Sequence, residues 1–128
     1  FSDTATTALY TLSYAALFRS GHQAQLDGYP DLAPIELAAV ADEAYARALA
    51  AANDIGLEIL YEDPNGRHFE ATDTSSLFRF VDDFVVEVEE GESGGGSVVH
   101  VRSTSRVGQS DLGANAARIR RFASRLQP

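Results

Sequence analysis

Four runs between Leu57 and Ser105 place apolar side chains at every second residue, the period of a β-strand with one buried face. Leu57–Glu62 carries Leu57, Ile59 and Tyr61 on one face. Arg67–Thr72 carries Phe69 and Ala71, and Leu77–Glu89 carries Phe78, Phe80, Phe84, Val86 and Val88. Ser97–Ser105 is the last run. Asp63-Pro64-Asn65-Gly66 separates the first two, and Asn-Gly tolerates positive φ, so these runs predict a hairpin. Asp73–Ser76 reads as a polar connection, and Glu90–Gly96, with four glycines, as a loose hairpin loop. Hairpin connections imply a mostly antiparallel sheet.

Two helices flank these strands. Ala39–Asn53 holds eight alanines and no interior Gly or Pro, which favours a helix with a close-packing face. Gly56 supplies its C-terminal cap. About Leu112–Leu126 forms the second helix, with Leu112, Ala116, Ile119, Phe122, Ala123 and Leu126 on its apolar side. Ser110 or Asp111 supplies its N-cap. With Ile35–Leu37 as a short first strand, the order is β-α-β-β-β-β-α. The expected fold is a two-layer α+β domain: about five mostly antiparallel strands with both helices on one face. Residues 1–33 read as an N-terminal arm with one short amphipathic helix around Tyr10, Tyr14, Leu17 and Phe18, and 34–128 as one domain. A chain of 128 residues buries enough surface to fold without staples.

Composition narrows the function. With no Cys there is no disulfide framework, no Cys-based zinc site and no thiol nucleophile. No Met is present either, so the chain is expected to be a processed or trimmed product. The net charge of −9 argues against nucleic acid as a partner. The charge is split: residues 101–128 hold six Arg against one acid, Asp111. That basic end is expected to lie against the acidic body.

One constellation stands out. If Val88 pairs with Val99 around the Gly-rich loop, Phe84 faces Ser103 and Asp82 faces Ser105. Asp82 then falls on the core face, where an unpaired carboxylate is costly. Either a bulge turns it outward, or it finds a donor among Ser103, Ser105 and Arg106. On the opposite face Arg102 lies diagonal to Asp83 and Glu87, and Arg106 lies diagonal to Asp83 and Arg79. The bland reading is an ion-pair network tying strand ends to the last helix. The functional reading is a polar pocket suited to an anion, lined by Arg79, Asp82, Arg102, Ser105, Arg106 and Asn115.

Phe78-Arg79-Phe80-Val81-Asp82-Asp83 and the long block Val99–Asn115, followed by Arg118, resemble the signature of the domain-of-unknown-function family numbered 1499. Its signature residues map here to Arg79, Asp82, Asp83, Arg102, Ser103, Ser105, Arg106, Gly108, Ser110, Asp111, Gly113, Asn115 and Arg118. The helix and the Tyr29-Pro30-Asp31 arm resemble a proteobacterial branch, whose members often carry the domain after membrane helices. The resemblance therefore implies a membrane-associated protein with an extracytoplasmic, periplasmic domain; the alternative is cytoplasmic. It carries no assigned activity.

Three functions compete. The first is a non-catalytic binding or assembly domain, its partner its own membrane segment or a second copy. The second is a carrier of a small apolar ligand, its cavity lined by Phe78, Phe80, Phe84 and Tyr45. The third is an enzyme using Asp82 with Arg79, Arg102 and Arg106 on an anionic substrate. No cofactor or metal is expected, because His22, His68 and His100 do not converge. No catalytic residue is assigned, since no His is placed to activate Ser103 or Ser105.

Overall fold

The structure, a computed structural model, describes residues 34–74, 80–92, 94–106 and 112–127. The elements are β1 (Ile35–Leu37), α1 (Ala41–Asp54), β2 (Glu58–Asp63), β3 (His68–Thr74), β4 (Val81–Glu90), β5 (Ser97–Ser105) and α2 (Leu112–Leu126). All strand pairs are antiparallel, and the five-stranded sheet runs β1-β5-β4-β3-β2. Both helices cover one face, giving the expected two-layer α+β architecture. The expectations for the arm, for the Ser110/Asp111 cap, and for Phe78 and Arg79 lie outside the described residues.

Alternation sorts the sheet faces. Phe69, Ala71, Phe84, Val86, Val88, Val99 and Val101 are buried under the helices. The ring of Phe69 meets Tyr45 of α1 edge-on at 6.1 Å, and Phe84 meets Phe122 of α2 at 5.1 Å. Ala44, Ala48, Ala51 and Ala52 form the buried stripe of α1, small enough to bring its backbone close to the sheet. The α1 helix starts at Ala41, two residues later than Ala39. Val40 is its N-cap and makes no side-chain cap, so Asp42 and Glu43 in the first turn supply the favourable charge instead. At its other end Gly56 adopts φ +86, Gly56 N donates to Asn53 O, and Leu57 N donates to Ala52 O. These are the two hydrogen bonds of a Schellman cap, and buried Leu57 seals it.

Three local expectations need correction. The positive φ of the first hairpin falls on Arg67 (φ 51), not on Asn65 or Gly66. Gly66 fits closely there: its N–H donates to Asp63 Oδ1 at 3.1 Å, and a Cβ would stand 2.6 Å from Asp63 Oδ2 and push that carboxylate aside. Strand β3 runs on through Asp73 and Thr74, which the polar composition had suggested were connection. Phe80 lies outside β4 and is 59% exposed, so it is not part of the core.

Candidate functional site

At one end of the sheet the core face turns polar on three adjacent strands at once. Register places Asp73 opposite Asp82, and Asp82 opposite Ser105. One step toward the core, Phe84 stands between Ala71 and Ser103. The last two strands thus pair as the alternation predicts, and Asp82 keeps its place on the core face without a bulge.

The first turns of α2 match this polar end. Asn115 and Arg118, three residues apart, share one helix face and are both buried. Further along, the buried face becomes Ile119, Phe122 and Leu126. Polar residues on α2 therefore meet polar residues on the sheet, and apolar meet apolar.

Arg118 is the centre of the cluster. Its side chain is 7% exposed. Nε donates to Asp73 Oδ2 at 3.1 Å and Nη2 donates to Asp82 Oδ2 at 2.8 Å. Nη1 donates to Ser103 Oγ at 2.9 Å and to Asn115 Oδ1 at 2.7 Å. Ser103 Oγ in turn donates to Asn115 Oδ1 at 2.6 Å, and Asn115 Nδ2 donates to Ser105 Oγ at 3.3 Å. All three guanidinium nitrogens are engaged, as a buried cation requires.

The donor for Asp82 is therefore Arg118, and the expected donors Ser103, Ser105 and Arg106 do not take that role. Arg106 instead grips Asp83 on the opposite face, with Nε 3.0 Å from both carboxylate oxygens and Nη2 2.9 Å from Oδ1. Arg102 sits opposite Val85 as its register predicts, yet its Nε is buried without a hydrogen-bond partner among the described residues. The cluster thus unites Asp82, Ser103, Ser105 and Asn115 with Arg118 and Asp73. It leaves Asp83, Arg102 and Arg106 on the far side of the sheet. Arg79, Ser110 and Asp111 lie outside the described residues.

That far face carries two histidines among carboxylates. His68 Nε2 lies 2.9 Å from Glu70 Oε2, and His100 Nε2 lies 2.7 Å from Glu89 Oε1. Among the described residues no group of three or more His, Asp or Glu could hold a metal ion. His100 occupies the face opposite Ser103 and Ser105, so it cannot activate either hydroxyl.

Shallow cavities lie elsewhere among the described residues. One, about 360 Å³, lies between the helices and is lined by Arg47, Asp54, Arg125 and neighbouring Ala50, Ala51 and Leu126. Another, about 200 Å³, lies between the start of α1 and the glycine loop. Neither touches the Arg118 cluster. Of the aromatic residues expected to line an apolar cavity, Phe84 and Tyr45 are packed into the core and Phe80 faces solvent.

Fold and cluster together define a two-layer α+β domain whose second helix is locked to the sheet by a buried arginine. The family described as Protein of unknown function (DUF1499) matches residues 5–126, and the chain belongs to that family. No curated protein matches the chain. No described helix is long and apolar enough to cross a membrane.

Proposed function

We propose that this chain is a non-catalytic binding or assembly domain of a membrane-tethered bacterial protein, and that the Arg118 cluster holds the fold rather than performing chemistry. The observation that carries this reading is the closure of the cluster. Arg118 spends its donors on Asp73, Asp82, Ser103 and Asn115. A guanidinium poised for an anionic substrate keeps donors directed at open space. Asp82 is 17% exposed and bound at 2.8 Å to the Arg118 guanidinium, so its Oδ2 is already engaged within the fold. The Ser103 hydroxyl proton is directed at an amide oxygen, not at a base.

The test is fractionation of source cells followed by sizing of the domain. The reading expects the full-length product in the membrane fraction, and the isolated domain as an oligomer or bound to its tether segment. A wholly soluble full-length protein with a strictly monomeric domain contradicts it.

A further inference from the structure

The α1 helix begins without a side-chain cap. Val40, its N-cap, carries no side-chain acceptor, and the first helical hydrogen bond runs from Ala44 N to Val40 O. The N–H groups of Ala41, Asp42 and Glu43 therefore have no acceptor within the helix. They form the positive end of the dipole of a 14-residue helix.

A cavity of about 200 Å³ lies against this end. Val40 and Ala41 line one side, and Glu90 and the loop glycines line the other. Gly94, Gly95 and Gly96 put no side chain into it, which leaves room for a group of a few heavy atoms.

Ser97 supplies an independent observation. It is 3% exposed, and its Oγ is buried with no hydrogen-bond partner among the described residues. A buried hydroxyl without a partner is costly. Register sets Ser97 between Leu37 and Glu90. It shares the helix-facing phase of Val99 and Val101, which lie in the core. The hydroxyl thus rises toward the first turn of α1, beside Glu90 and Gly96, both of which line the cavity. Donors from the helix and from the sheet converge on one small space.

The surrounding charge limits what fits there. Arg67 lies between Asp42 and Glu90, with Nε 2.8 Å from Asp42 Oδ1 and Nη2 3.6 Å from Glu90 Oε1. Its guanidinium is already engaged, so the cavity offers donors rather than a spare cation. Donors beside two carboxylates suit one negative charge and repel a second.

We propose that the cavity between the start of α1 and the glycine loop binds a small monocarboxylate. Its oxygens accept from the first-turn N–H groups and from Ser97 Oγ. The site is separate from the Arg118 cluster, and the proposal stands or falls independently of tethering and assembly.

The test is a backbone-amide NMR titration of the full chain at neutral pH and constant ionic strength, with sodium acetate in one arm and sodium phosphate in the other. Acetate is expected to give saturable shifts centred on Ala41, Asp42, Glu43 and Gly94–Ser97, and phosphate is not. Ser97→Ala removes a buried hydroxyl that has no partner among the described residues, so the variant should fold. It is expected to bind acetate at least about tenfold more weakly, the effect of one lost hydrogen bond to a charged group. Glu90→Gln changes an exposed side chain and is expected to bind acetate about twofold more tightly or better. Acetate shifts that do not saturate overturn the proposal. So do phosphate binding as tight as acetate binding, equal acetate affinity in Ser97→Ala, or unchanged or weaker affinity in Glu90→Gln.

Discussion

Asp73 and Asp82 face each other directly across the β3–β4 ladder, and one guanidinium, that of Arg118, bonds to both. Like charges opposed on neighbouring strands destabilise a sheet. Here the repulsion is offset by a cation delivered from a helix 36 residues further along the chain than Asp82. The polar end of the sheet is thus stable only with α2 in place, which couples helix docking to strand pairing.

The two carboxylates should not contribute equally. Asp82 is the more buried, at 17% against 36% exposure, and makes the shorter bond to Arg118. Replacing Asp82 by Asn should cost about 1.5–3 kcal/mol, the range for a hydrogen bond to a charged group. Asp73→Asn should cost less, because Asp73 is more exposed and its bond to Arg118 is longer. Urea unfolding of both variants checks the order.

The Arg106–Asp83 pair offers an internal contrast. It is bidentate, but its side chains are 45% and 36% exposed. Surface pairs are worth ~0–1 kcal/mol and weaken in salt. Asp83→Asn should therefore shift stability by less than about 1 kcal/mol, and that shift should shrink in high salt.

Glycines 56 and 66 should fail for different reasons. Gly56→Ala meets no neighbour but forces a side chain to φ +86, at roughly 1 kcal/mol or more. Gly66→Ala puts a methyl group onto the Asp63 carboxylate and disturbs its bond to Gly66 N–H. In the double variant Asp63→Ala/Gly66→Ala the steric part of the penalty should disappear, whereas no partner change should rescue Gly56→Ala. Thermal unfolding of these variants distinguishes the two cases.

Tyr45 predicts an alkaline limit. Burial between α1 and β3, followed by the nearby Glu62 charge, raises its phenol pKa above the ordinary 10.0. The folded state then binds the proton more tightly than the unfolded state. Its contribution to stability is complete below the unfolded value and is lost as pH rises from there through the folded value. Tyr45→Phe should flatten that decline. The same variant loses the bond from Tyr45 Oη to His68 O, so it should start from lower stability at neutral pH.

The sheet was legible in the sequence because alternation and register are local properties. Fixing Val88 against Val99 determined the partners of Phe84 and Asp82, and the structure has both. The donor for Asp82 was not legible, because strand alternation says nothing about the phase of a helix packed above it. A signal did exist: Asn115 and Arg118 share a helix face with apolar Ile119 and Phe122, and a charged residue on a core-facing stripe needs a buried partner. The positive φ at Arg67 was missed for a related reason. Asn-Gly permits the left-handed region, but the bond from Arg67 N to Pro64 O closes the turn one residue later. Arg102 shows the limit of diagonal reasoning, which places a side chain within reach of Asp83 and Glu87 but does not determine that it bonds to them.

The central claim is that Arg118 holds the fold together. Equilibrium urea unfolding of Arg118→Met tests it most directly, since Met keeps much of the apolar volume while removing the donors. The expected loss is about 3–5 kcal/mol, the cost of leaving buried carboxylates without their cation. Stability within about 0.5 kcal/mol of the parent chain, the range of surface substitutions, would contradict it.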